Sequence, residues 1–258
     1  MKLPESLDET YERILKEIKT SNERLAQQVL KCLVVAVRPL RVEELAEVLA
    51  IDFDNAEGIP RLKPDWRWEE QERALLIACS SLIAINPAAG SRVVQFSHIS
   101  VKEFLTSPRL SDASRELSNY RIDLEPAHTI LGRACLGALL QVKDDVDGPT
   151  FEDHPLARYA AKHWTLHVQF GEVSSRLRKE MEYLFDANKP HFKVWLTLCD
   201  MEPSPCNDAI FDLFAPYRES PATPLYYAAL CGFHDLVEHL VTKHPQGGGV
   251  NGATICDH

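Results

Sequence analysis

Leu82-Ile83-Ala84-Ile85 and Val93-Val94-Gln95-Phe96 are two short apolar runs joined by Asn86-Pro87-Ala88-Ala89-Gly90-Ser91. Branched and aromatic side chains in runs of four, with a connection holding Pro and Gly, predict the two strands of a β-hairpin. Ser100-Val101-Lys102-Glu103-Phe104-Leu105 follows at once, with Ser and Glu three apart as at a helix start, and it ends before Pro108.

Upstream the pattern is helical. Glu70 to Ser80 predicts a helix directly before the hairpin. Residues 52 to 68 read as a loop with Pro60, Pro64, Trp66 and Trp68, the tryptophans being expected to pin it to the body. Val42 to Leu49 predicts a short helix with Glu43 and Glu44 in the first turn, where the helix dipole favours them. Glu23 to Val37 predicts a longer one, whose stripe of Leu25, Val29, Leu30, Leu33, Val34 and Val37 is wide enough for a central position in a core. Arg38-Pro39 stops it, since proline cannot continue the hydrogen-bond ladder. At the start, Ser6 and Glu9 fit a capping box, and Leu7, Tyr11, Ile14 and Ile18 share one helical face. Four helices, a hairpin and a helix is the order of a winged-helix domain with one flanking helix, placed at 1–108.

From Ser111 onward the signals are helical. Pro126 and Pro155 suit first turns. Ala127, Ile130, Leu131, Ala134 and Ala138 mark one helix, and Leu156, Tyr159, Ala160, Trp164 and Val168 the next. Leu177, Met181, Leu184 and Phe185 mark a third, with shorter ones at Phe192 to Leu198 and Ile210 to Phe214. This predicts a helical spacer, bundle or solenoid, over 111–218.

Residues 219–258 contain Thr223-Pro224-Leu225-Tyr226-Tyr227-Ala228-Ala229 and Gly232-Phe233-His234-Asp235-Leu236-Val237-Glu238-His239-Leu240-Val241. This resembles an ankyrin repeat, with Tyr226 where that family usually has His, and with Gly232 serving the turn between its two helices. One repeat cannot bury its own apolar face, so it is expected to lean on the preceding helices or on later repeats. Gly247-Gly248-Gly249-Val250-Asn251 resembles the finger leading into a second repeat, so the array is expected to be truncated. The resemblance implies that Tyr226, Phe233 and His234 contact a protein partner. The expected fold class is therefore mainly α: a winged helix with a small two-stranded β-hairpin, an α-helical bundle or solenoid, and the start of an ankyrin array.

The totals exclude several roles. The 258 residues are 45% hydrophobic and 26% charged, the balance of an ordinary globular protein. A formal net charge of -10, from 28 basic and 38 acidic residues, repels phosphate backbones and anionic lipid heads, so neither nucleic acid nor membrane is an expected partner. The N-terminus shows no signal peptide and no apolar stretch approaches a bilayer span. Seven scattered cysteines predict a reducing compartment, the cytoplasm, and no disulfide framework.

Four stretches carry a wider resemblance: Leu3-Pro4-Glu5-Ser6-Leu7-Asp8-Glu9-Thr10-Tyr11, Arg38-Pro39-Leu40-Arg41-Val42-Glu43-Glu44-Leu45-Ala46, Phe96-Ser97-His98-Ile99-Ser100-Val101-Lys102-Glu103-Phe104-Leu105, and Pro155-Leu156-Ala157-Arg158-Tyr159-Ala160-Ala161-Lys162-His163-Trp164. In order and spacing they resemble the region just after the nucleotide-binding core of fungal NACHT-type proteins. Those are STAND signalling ATPases related to the NOD-like receptors, and their winged helix is also named after GPI inositol-deacylases. The resemblance implies an upstream NACHT domain as partner and gives His98 a role: facing the β-phosphate of ADP held by the intact parent protein. Plant relatives have Met-His-Asp where this chain has Ser97-His98-Ile99. The alternative is that His98 caps the helix through the backbone.

No G-x-x-x-x-G-K-[ST] run exists to cradle phosphates, so ATP or ADP would require that upstream domain and no cofactor is expected in this chain. G-x-S-x-G is also missing. His163 and His167 stand four apart, but no Glu follows the first, so an exposed or interface pair is expected rather than a zinc site. Glu43, Glu44 and Glu47 read as a solvated face, as do Glu69, Glu70 and Glu72. The expected function is a non-catalytic regulatory and protein-interaction fragment of a NACHT/ankyrin signalling protein. The alternative is a DNA-binding winged-helix transcription regulator, disfavoured because Val42 to Leu49 offers Glu43, Glu44 and Glu47 towards a groove and the wing only Arg92.

Overall fold

Proline at 39 forces the chain out of a helix and back along a sheet, and the first half of the molecule is organised around that reversal. In the computed structural model, which describes residues 7–53, 58–67, 69–88, 90–111, 114–142, 153–201 and 223–243, α1 (Leu7–Glu17) precedes α2 (Thr20–Val35). Tyr11 and Leu15 of α1 are buried, with Ile14 and Ile18 packed beside them. Leu7, expected on this face, occupies the first helical position and is exposed. Ser6 of the predicted capping box lies outside the described residues. α2 ends two residues earlier than expected, its cap Ala36 being extended at ψ 130.

The chain then forms β1 (Leu40–Arg41), α3 (Val42–Leu49), β2 (Ile51–Asp52), β3 (Arg61–Leu62), α4 (Gln71–Cys79), β4 (Ile83–Ala88), β5 (Ser91–Phe96) and α5 (Ile99–Thr106). β4 and β5 are the predicted hairpin, but longer: pairing continues to Ala88 opposite Ser91, and Gly90 supplies the positive φ of 81 that closes the turn. Pro87 is tolerated because β4 is an edge strand. The expected two-stranded hairpin is in fact a three-stranded antiparallel sheet of order β1-β5-β4, with Leu40 opposite Val94. A strand of two residues is too short to show a period of its own.

The loop after α3 departs from expectation. Trp66, in a 3-10 turn at Pro64–Trp66, is about half exposed rather than buried against the body, and Trp68 lies outside the described residues. The connection is held instead by β2–β3 pairing and by the Leu62 amide donating to Gln141 Oε1 at 2.7 Å. It also approaches a helix closely: a Cβ at Gly137 would sit 2.7 Å from Pro60 Cβ.

Beyond α5 come a 3-10 turn at Pro108–Ser111 and the helices α6 (Arg115–Ser118), α7 (Leu124–Leu139), α8 (Pro155–Val168), α9 (Val173–Arg176), α10 (Arg178–Leu184) and α11 (His191–Met201). α12 (Pro224–Leu230) and α13 (His234–Lys243) follow. The helix expected at Ile210 to Phe214 and the glycines 247–249 lie outside the described residues. α7 packs on α2 and α8, and α8 packs on α3, so one apolar cluster runs from Tyr11 to Leu240. α8 is buried on all sides, not only along the predicted stripe: Ala157, Ala161, His163 and His167 are covered as well. Such a helix is interior. Among the described residues no helix is long and apolar enough to cross a membrane.

Candidate functional site

His98 stands where the wing ends and α5 begins. Its backbone is extended (φ -151) and its Nδ1 accepts from the Ser100 amide at 3.2 Å. The Ser100 hydroxyl lies 2.7 Å from the same nitrogen and 2.6 Å from the Tyr11 hydroxyl. The histidine is therefore the N-cap of α5, the place the sequence spacing assigns to Ser100. Satisfying an orphan amide of the first turn is what an N-cap does. Nδ1 being occupied, Nε2 is the ring nitrogen left to meet another group, and the exposed ring sets it at the surface.

The acidic run on α3 is not a solvated face. Glu44 is fully buried and Glu47 is 2% exposed. Arg38 Nη1 and Nη2 donate to the two Glu44 oxygens at 2.8 and 2.7 Å, and the Arg41 amide donates at 2.8 Å. Fork-to-fork pairing with a backbone donor is the arrangement that makes a buried carboxylate bearable. Glu47 accepts from Arg67 Nη2 at 3.0 Å and from the Leu156 amide in the first turn of α8. Burial pushes its carboxyl up, against the lowering pull of the Leu156 amide and Arg67. A side chain of the winged segment thus caps a helix of the helical region.

Behind this pair lies a polar seam that the sequence spacing does not reveal. The Val37 amide donates to the Tyr159 hydroxyl at 3.0 Å, and that hydroxyl is 2.8 Å from His167 Nε2. His167 Nδ1 faces His128 Nδ1 at 2.9 Å. Every atom is satisfied when Tyr159 donates to His167 and His167 donates to His128, which requires both imidazoles neutral. Burial, with His128 and His163 nearby, lowers His167 to about 3, and burial and Lys102 lower His128. His163 and His167 are therefore core residues rather than the exposed or interface pair expected from their spacing. His128 is 39 residues away and on another helix, so no local pattern could announce it. The Arg38 guanidinium sits 5.0 Å from the Tyr159 ring centroid, joining the seam to the Glu44 pair.

The three residues given to a protein partner separate. Phe233 is buried, 5.5 Å from the Trp164 ring, so its side chain is committed to this chain's own core. His234 is exposed and Tyr226 half-buried. α12 and α13 form a helix-turn-helix: Thr223 Oγ1 accepts from the Tyr226 amide at 3.3 Å, Pro224 opens the helix, and Gly232 turns the chain with φ 73. Gln169 Nε2 ties this turn to α8 through the Cys231 carbonyl at 2.8 Å.

The helix immediately before the wing, where a helix-turn-helix carries its recognition helix, is α4 rather than α3. Leu75, Ala78 and Cys79 form its buried side. Its outer side carries Glu72, Arg73, Leu76 and Ile77, continuing Glu69. Among the described residues no three His, Cys, Asp or Glu side chains gather as a metal site. Burial holds the thiols of Cys32, Cys79 and Cys231 up at about 12, so none is a ready thiolate.

Comparison with known proteins gives this geometry a context. Over 247 residues the chain is 28% identical to "Azaphilone pigments biosynthesis cluster protein L" of Monascus ruber, covering 93% of this chain and 51% of that protein. The chain thus spans about half the length of this curated relative. No solved structure matches it. Residues 11–116 match the family model described as "GPI inositol-deacylase, winged helix domain", and they hold the α2–β1–α3–α4–β4–β5 sequence of elements and the α5 helix capped by His98. Residues 11–116 are thus similar to a winged helix domain of that type, and a helical region packs against them.

Proposed function

We propose that this chain is a non-catalytic regulatory and protein-interaction unit that couples a nucleotide-binding switch to an ankyrin-type recognition surface. The observation that carries the reading is α8. Its first turn is capped by Glu47 of the winged helix, and its Trp164 receives Phe233 of the terminal hairpin. One buried helix thereby touches both the winged segment and the terminal helical hairpin, and rigid packed elements are what carry coupling between sites. In an intact NACHT-type parent, His98 would present Nε2 to a nucleotide phosphate while Nδ1 holds the α5 cap. The hairpin would present its exposed face, with His234 and Tyr226, to a protein partner. The relative's name places it in a pigment biosynthesis cluster and states no reaction, so it adds no catalytic role.

Hydrogen exchange tests the coupling. Glu47→Ala removes the α8 cap, and exchange is expected to rise in α8 and, through Phe233, in amides 224–243. An unchanged terminal hairpin would sink the rod-like role of α8. Isothermal titration with ADP and ATP is expected to show no heat with the chain alone. Nucleotide turnover above background would overturn the non-catalytic reading.

A further inference from the structure

Helix α4 turns an apolar and acidic face to solvent beside the wing. Leu76 is 43% exposed and Ile77 57% exposed, one turn beyond Glu72 and Arg73. At 100° per residue, positions 72, 73, 76 and 77 share one side of α4, with Glu69 just before its first turn, while Leu75 and Ala78 lie on the buried side. A groove of about 420 Å³ opens at the N-terminal end of this face, lined by Val42, Glu43, Glu69, Glu70, Glu72 and Arg92 among others.

The charges in that groove are unevenly matched. Arg92 pairs with Glu72 at 3.0 Å and Arg73 with Glu70 at 2.9 Å. Among the described residues no cation bridges Glu43 or Glu69. Four carboxylates against two guanidinium groups leave the groove negative. A phosphate backbone would meet those carboxylates first, whereas a Lys or Arg would complete two further pairs.

We infer that the outer face of α4 docks a basic, amphipathic helical segment of another protein, with cations in the Glu43–Glu69 groove and apolar side chains on Leu76 and Ile77. The inference rests on reading the chain as an interaction module and assigns it a surface distinct from the terminal hairpin. In a helix-in-groove contact, apolar anchors give affinity and the charged rim gives orientation and salt dependence.

The test uses the full chain, isotope-labelled, titrated with a synthetic Leu/Lys peptide of about four helical turns whose leucines form one stripe. Amide shifts are expected at residues 69–77 and at Arg92. Leu76→Ser/Ile77→Ser and Glu43→Lys/Glu69→Lys should each weaken binding about tenfold, a difference of about 1.4 kcal/mol. All four positions are at or near the surface, and circular dichroism confirms that the variants fold. A Leu/Glu peptide and a duplex DNA should leave the same amides unmoved. Shifts confined to other surfaces, no binding at all, equal affinity of the variants, or displacement of the peptide by DNA would each overturn the proposal. These outcomes leave nucleotide turnover and α8 coupling untouched, so they fail separately from the proposed function.

Discussion

Acid should weaken this fold through one imidazole. His167 is fully buried, accepts at Nε2 from Tyr159 and meets His128 through Nδ1, and its pKa is lowered from 6.5 to about 3. A depressed folded-state pKa means that the unfolded chain binds the proton more readily. The stabilisation is therefore fully present above about 6.5 and is lost as pH falls toward about 3. Moving from about pH 7.5 to about pH 5 charges most of the unfolded imidazole and almost none of the folded one. By linkage that removes about 2 kcal/mol of stability from His167 alone. His128, lowered by burial and by Lys102, pushes in the same direction. Urea unfolding at the two pH values measures the loss. Carboxylates contribute their own pH dependence, so the comparison that isolates the seam is His167→Gln, whose stability should change less over that interval by about 2 kcal/mol. An NMR titration of the unaltered chain should show His167 still neutral at about pH 5. Identical pH slopes for parent and variant, or a His167 resonance that titrates near 6.5, would refute the buried-neutral assignment.

Two other substitutions test the packing. Arg38→Ala strands the fully buried Glu44 carboxylate; because the Arg38 side chain is itself 31% exposed, we expect about 3 kcal/mol, the low end for a broken buried pair. Replacing both partners, as in Arg38→Met/Glu44→Leu, should recover part of that loss, and a double variant no better than Arg38→Ala would disprove the stranded-charge account. Phe233→Ala removes a ring packed on Trp164 and should cost about 3 kcal/mol, with exchange rising first in α12 and α13. Uniform loss of protection across α1 to α5 instead would place that ring's role elsewhere.

How much of this was legible beforehand differs by kind of signal. Local period and punctuation carried far: α3 spans Val42–Leu49 as the apolar spacing predicts, and the hairpin lies where branched residues flank Asn86 to Ser91. The third strand of the wing sheet escaped because Leu40–Arg41 exists only by pairing with β5, a tertiary fact. Side-chain chemistry was the least legible. Glu43, Glu44 and Glu47 look alike in sequence, yet only Glu43 stays near the surface, because Arg38 and the α8 amide reach the other two. Tryptophan misled in the opposite sense. Trp164 is central, whereas Trp66 is exposed, since a large ring on a 3-10 turn needs a neighbouring wall to cover it. His98 was placed on the wing-to-helix step, but the Ser–Glu spacing put the cap at Ser100, two residues on, whereas His98 itself receives the Ser100 amide.

The buried polar groups make sense together rather than singly. Arg38 holds Glu44, stacks over Tyr159, and so stands at one end of a path that continues through His167 to His128. An all-apolar replacement of such a seam would often be as stable. What an apolar seam lacks is directionality: leucines tolerate a slipped helix, whereas a fork of donors on a carboxylate and a hydroxyl set between an amide and an imidazole permit one placement. Much of the remaining contact surface of α7 and α8 is Ala and Leu, apolar side chains that specify position less sharply than directed hydrogen bonds. The hydrogen bonds of the seam, with the Glu47 cap, therefore tie α8 to defined points on the α2–α3 connection, α3 and α7. Under the proposed coupling role, α8 would need that fixed register more than it needs added stability.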